Sequence, residues 1–143
     1  MAKVSNILSR KGFDVVTVTP QQSAMEAVNL MNEHRIGAVV VVDKGEVVGI
    51  FTERDLLRRI VAKGKKAEDT AVGKAMSTPV AYCTPETEIQ ECRLAMTQKR
   101  IRHLPVIQDK KLAGLVSIGD IMAYELSEHQ TTIQYLNEYI SGR

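Results

Sequence analysis

Apolar positions fall into short blocks whose period changes repeatedly along the chain. Val15–Val18 is a brief apolar run closed by Thr19-Pro20, which predicts a short buried strand. Ala24, Ala27, Val28 and Met31 then recur at i, i+3, i+4, i+7, one face of a helix. Ser23, with Glu26 three residues later, fits a capping box at its start. Ala38–Val42 is a continuous run dominated by valine, too short for a helix and typical of a strand covered on both faces. Asp43-Lys44-Gly45 supplies turn chemistry, and Val47–Phe51 returns as a second strand. Thr52 opens another helix, with Leu56, Leu57, Ile60 and Val61 on its apolar stripe.

After a polar joint, Gly64–Asp69, the same succession returns. It reads strand Val80–Cys83, helix Thr87–Thr97, strand Leu104–Ile107, turn, strand Leu112–Val116, helix from Ser117. A shift of 65 residues lays Val15–Leu57 on Val80–Met122 without a gap, matching Thr19-Pro20 with Thr84-Pro85 and Gly49 with Gly114. Gly49–Asp55 and Gly114–Asp120 both read Gly, two apolar residues, a hydroxyl residue, two variable residues, Asp. The chain is a tandem duplication of a β-α-β-β-α unit. One unit has three short strands and cannot bury both faces of its sheet. Two units packed face to face about a pseudo-twofold axis can, so the fold class is α/β (α+β) with a C-terminal helix. The expected divisions are residues 1–66, 67–126 and a tail at 127–143. Val4–Leu8 and Val72–Met76 precede the two repeats, and each is expected to pack as a short helix against the opposite half. In the tail, Ile133, Leu136 and Ile140 are spaced as an amphipathic helix that needs a partner surface, for which a second subunit is the preferred reading.

Composition narrows the function classes. With 44% hydrophobic residues in 143, the chain suits one compact domain or two halves sharing a core. Aromatics are 4% with no Trp, so that core is aliphatic. The net charge of +2 comes from 19 basic and 17 acidic residues that are interleaved, which leaves no footprint for nucleic acid or membrane. No apolar run approaches the roughly 20 residues of a span. Cys83 and Cys92 have no paired spacing and align with Val18 and Ala27, so core roles and a reducing, cytoplasmic setting are expected. His34, His103 and His129 show no metal-ligand spacing with them. No nucleophile–base pair or Gly-rich phosphate loop is visible.

The duplicated Gly-to-Asp motifs, both Thr-Pro pairs and Arg102-His103-Leu104-Pro105-Val106 together resemble the CBS domain in its tandem-pair form, over about Val4–Leu126. The tail, with His129-Gln130 and Tyr135–Ile140, is similar to a stand-alone bacterial subgroup whose members hold AMP or NAD(H). The resemblance implies a regulatory, non-catalytic module, a homodimer, that binds AMP, ATP or NAD(H) and acts on an enzyme or transporter. The other class left open is a protein-interaction module with vestigial clefts, whose tail docks a partner such as thioredoxin.

An adenosine ligand needs an acceptor for its ribose hydroxyls, and Asp55 and Asp120 each offer two carboxylate oxygens. Thr52 and Ser117 stand where helices begin, a place that attracts phosphate. The same residues also fit a capping box with an acid at its third helical position, and both readings stay open. Val16, Val18, Ala81 and Cys83, with Ile36, Ile101, Phe51 and Pro105, would line a base slot or simply belong to the core. Backbone groups of Thr17 and Tyr82 would read the adenine edge. Arg54 has Gly119 as its repeat mate, and Arg102 and His103 have Gly37 and Ala38. Family geometry implies that Thr52, Arg54, Asp55, Arg102 and His103 converge on one cleft. The Ser117/Asp120 cleft would then lack those cations. Arg54 as a surface charge and His103 as a structural histidine are the alternatives.

Overall fold

The computed structural model describes residues 1–129 and 137–140. Strand β1 (Thr17–Val18) runs parallel to β2 (Ala38–Asp43), with α2 (Ala24–His34) as the crossover; β2 turns back antiparallel into β3 (Glu46–Thr52). The two-residue turn between β2 and β3 has positive φ at Lys44 (52°) and Gly45 (81°), the twist a tight hairpin requires. In the second repeat, β4 (His103–Gln108) and β5 (Lys111–Ser117) pair in the same way across Asp109 and Lys110, again both at positive φ. Arg35 and Arg100, repeat mates, end α2 and α5 (Ile89–Lys99) in left-handed conformations, and each helix begins and ends in step with the other.

The expected strand Val80–Cys83 shrinks to one parallel bridge, Cys83 to Val106. The cause is Pro105. Its mate Val40 donates its N–H to the Val16 carbonyl at 3.3 Å, a ladder bond that proline cannot make. The second sheet therefore has two strands where the first has three. Three smaller expectations also change. Helix α5 starts at Ile89 rather than Thr87. Ser23 accepts the Glu26 N–H at 3.1 Å, but the Glu26 carboxylate takes Gln22, so that capping box is half formed. The helix from Thr52 begins as α3 (Glu53–Asp55) and continues as a π-helix, Leu56–Val61. Ile60 is buried and Leu56 packs against the core, whereas Leu57 and Val61 are 61% and 60% exposed. The four apolar residues form two i, i+4 rows, and only one row faces inward. In α6 (Ile118–Glu128) the mates Met122 and Leu126 are likewise exposed, above a buried Ile121.

The lead-in helices pack crosswise, as the sequence suggests. Helix α1 (Val4–Lys11) sends Val4, Ile7 and Leu8 into a core with Leu104, Val106, Val116 and Ile121 of the second repeat. Helix α4 (Val72–Ala75) enters the first repeat's core beside Val39, Val41, Phe51 and Ile60. Backbone bonds fasten both exchanges: Val4 N–H to the Thr87 carbonyl at 2.9 Å, and Ala24 N–H to the Thr70 carbonyl at 2.7 Å. Gly49 and Gly114 exist for this packing. A Cβ on Gly49 would lie 2.9 Å from Met76 Cγ, and one on Gly114 would lie 2.8 Å from Leu8 Cδ2. Cys83 and Cys92 are both buried, and the helix-to-strand packing brings them side by side despite their spacing in sequence; the neighbouring Cys92 thiol and burial push the Cys83 thiol well up. Of the expected tail helix, Ile133 and Leu136 lie outside the described residues, while residues 137–140 are helical with Tyr139 and Ile140 exposed.

Candidate functional site

Crosswise packing leaves a cleft of about 730 Å³ between the halves. One wall is the β3–α3 corner: Thr52, Glu53, Arg54 and Asp55, with Arg58 and Arg59 a turn further on. The opposite wall is the α5–β4 connection from Lys99 to His103, and the linker residues Ser77 and Pro79–Ala81 form the floor. Thr52, Arg54, Asp55, Ile101, Arg102 and His103 are thus brought together from two repeats. Arg58, Arg59, Lys99, Arg100 and Ser77 join them without having been marked by any motif. Six Lys and Arg residues line the cleft against two carboxylates, Glu53 and Asp55. Its apolar surface comes from Ile50, Pro79, Val80, Ala81 and Ile101.

The base slot drawn from the sequence is different. Val18 and Cys83 are 2% and 5% exposed, at the bridges to β2 and β4, covered by α2 and α5. Phe51 and Pro105 are buried in their strands, and Ile36 and Val16 pack against the first core. Thr17 and Tyr82 face outward. None of these is among the lining residues of the cleft.

Asp55 is buried, with every side-chain oxygen engaged. Its Oδ2 accepts the Thr52 N–H at 3.0 Å and the Thr52 hydroxyl at 3.2 Å. Its Oδ1 accepts the Ser77 hydroxyl at 2.8 Å, with Arg59 Nε 3.4 Å away. The Asp55 N–H in turn donates to Thr52 Oγ1 at 3.2 Å, completing a capping box. Ser117 and Asp120 form the equivalent box in α6, through bonds of 2.8 and 3.0 Å. The Asp120 side is not free of cations, contrary to the reading from repeat mates. Lys11 Nζ donates to Asp120 Oδ2 at 2.7 Å and to the Leu115 carbonyl at 2.9 Å. The end of α1, a segment outside the aligned repeats, brings it there.

Arg54 Nη1 donates to the Arg100 carbonyl at 2.7 Å and so clips the two walls of the cleft together. Arg102 is exposed on the rim. Burial pushes the pKa of His103 below its ordinary value, an effect partly offset by Asp120 and Glu53. At neutral pH His103 is therefore an uncharged imidazole, not one of the cations. Gly37 faces it: a Cβ there would lie 3.6 Å from His103 Cε1, and only 2.5 Å from Glu53 Oε1. A cavity of this size with a cationic rim and an aliphatic floor suits a ligand that is flat and apolar at one end and anionic at the other. Among the described residues no cluster of His, Cys, Asp and Glu could hold a metal ion, and no helix is long and apolar enough to cross a membrane.

Similarity to known proteins extends over nearly the whole chain. The profile described as "CBS domain" matches residues 4–62 and 72–127. The chain is 39% identical over 148 residues to "CBS domain-containing protein CBSX3, mitochondrial" of Arabidopsis thaliana, covering 97% of this chain and 72% of that one. A putative signal-transduction protein with CBS domains from Burkholderia ambifaria superposes with a TM-score of 0.85 at 39% identity, over 88% of this chain and 95% of the other. The CBS domain pair of protein MJ0100, solved in complex with 5′-methylthioadenosine and S-adenosyl-L-methionine, superposes with a TM-score of 0.79 at 25% identity, over 90% and 98% of the two chains.

Proposed function

The chain belongs to the CBS-domain family, and from that premise we propose that it is a regulatory module whose inter-repeat cleft binds an adenosine-containing nucleotide. One observation carries the reading: residues from both repeats ring a single concavity with Lys99, Arg100, Arg102 and Arg58 around an aliphatic floor. Phosphate pairs with the cations, and adenine lies on Val80, Ala81 and Ile101. A related CBS pair holds two adenosine-containing ligands, which supports the base and ribose part of this assignment. The cationic rim favours AMP, ATP or NAD(H) over uncharged nucleosides. A ligand touching both walls changes the free energy of their relative setting, and a regulated enzyme or transporter reads that change. The module is a sensor rather than a catalyst.

The exposed rows Leu57/Val61 and Met122/Leu126 are repeat mates, so the surface they form has the pseudo-twofold symmetry of the chain. A patch of that symmetry suits an isologous contact with a second copy, and we assign the dimer interface there. One observation favours the rival reading of a protein-docking module with vestigial clefts. Asp55 already has all its oxygens satisfied, so a ribose must displace an internal partner. A thermal-shift screen of AMP, ATP, NAD(H), S-adenosylmethionine and adenosine separates the two. A ligand at 100 times its Kd adds about 2.7 kcal/mol of stability. Stabilisation by the phosphate-bearing compounds supports the sensor, whereas no shift with any of them overturns it.

A further inference from the structure

The two aspartates that the duplication makes equivalent are held by different internal partners. The difference starts in the lead-in helices. Gly49 and Gly114 face Met76 and Leu8, which places Met76 and Leu8 at matching positions. After Ala75 the short α4 stops, and the chain runs extended so that Ser77 exchanges backbone bonds with Ile50 at 2.8 and 3.1 Å. That course sets the Ser77 hydroxyl on Asp55. After Leu8, α1 runs on to Lys11. Ser9, which matches Ser77 in this register, turns its hydroxyl onto the Ser5 carbonyl of its own helix at 2.8 Å. Lys11 takes the aspartate instead, and the matching position after Met76 is Pro79, which has no charge.

We infer that Lys11 is a built-in occupant of the Ser117/Asp120 cleft, so that each chain binds one nucleotide, in the Thr52/Asp55 cleft, rather than two. This rests on the function proposed above and extends it to stoichiometry. A ribose diol approaching Asp55 replaces one hydroxyl donor, Ser77, by another, an exchange between hydrogen bonds of the same kind. Arg59 does not hold that oxygen tightly, standing 3.4 Å away with its side chain 52% exposed. A diol approaching Asp120 meets an ammonium. Lys11 makes a charge-assisted bond at 2.7 Å and a second bond to the Leu115 carbonyl at 2.9 Å, so both are lost if it leaves. Ligand occupancy is therefore decided by what already sits on each carboxylate.

Titration calorimetry of the full chain with AMP tests this. Wild type should bind one AMP per chain. Lys11→Met keeps the aliphatic stem and removes the ammonium, and it should bind two; Lys11→Ala should do the same. Two AMP per chain in wild type would overturn the inference and leave the proposed function standing, as would a stoichiometry of one in both folded variants. Loss of existing affinity in Lys11→Met would show instead that Lys11 contacts the ligand, and would also overturn it. No AMP binding by wild type would remove the proposed function together with the inference. Two AMP per chain in wild type overturns the inference whatever the variants do.

Discussion

The proposed function adds a ribose contact to the capping role that Asp55 already has, and its surroundings say which is the costlier to lose. Taken from the motif alone, Asp55→Ala should remove a ribose acceptor and leave the fold nearly intact. In the structure the same change leaves the Thr52 N–H and the Ser77 hydroxyl without their acceptor inside a part-buried site. Loss of hydrogen bonds to a charged group costs roughly 1.5–3 kcal/mol. Asp55→Ala should therefore lower the free energy of unfolding by about that amount, read from urea midpoints. Ser77→Ala, which keeps the cap, should cost less. His103 makes a second test at this scale. Its folded pKa lies below the ordinary 6.5, so the unfolded chain binds the proton first as pH falls. The stability that follows from keeping it neutral is present above 6.5 and is lost as pH drops through the folded value. His103→Gln should flatten that part of the stability profile between pH 7.5 and 5; parallel wild-type and variant profiles would contradict it. Thr52, Asp55, Arg102 and His103 were legible in the sequence because the duplication marks them or their missing mates. Arg58, Arg59, Lys99 and Arg100 were not. A cation on a helix or at its end reads as a solvated face, and only the crossing of two walls sets these four, still exposed, around a cleft.

Among the elements, the hairpins and long helices follow directly from hydrophobic period and turn residues, and both copies agree. The departures have local causes. Pro105 satisfies every apolar criterion for a buried strand residue, yet its missing N–H removes the bond that would extend the neighbouring strand. Leu57 and Val61 read as core because an i, i+4 row is apolar whether it faces a core or another molecule. The repeated glycine of the two motifs is explained by the lead-in helices, whose approach leaves no room for a methyl group. Gly114→Ala pushes a Cβ into Leu8 and should destabilise the chain by about 1–3 kcal/mol, as overpacking does elsewhere. Thermal or chemical unfolding measures it. An unchanged midpoint would mean that α1 shifts away from β5 at no cost.

At the scale of the whole molecule, the halves are bound by exchange: each repeat completes its core with a helix that precedes the other. The cleft is a product of that exchange, which is why sequence order alone could name its corners but not its full lining. Under the proposed function, the symmetric apolar rows outside it serve assembly. Leu57→Glu together with Met122→Glu should give a monomer in sedimentation equilibrium, and an unchanged oligomer would move the interface elsewhere, for example to the tail. The central claim is that the cleft holds a nucleotide by its phosphate at the Arg102 rim. It is tested most directly by calorimetry of AMP and adenosine against wild type and Arg102→Ala. Arg102 is exposed, so screening reduces its worth, and about a tenfold loss of AMP affinity is expected, smaller at high salt. Adenosine has no phosphate to lose and should bind both proteins equally. An equal loss for both ligands would contradict the account, because Arg102 would then be supporting the fold or the base and not the phosphate.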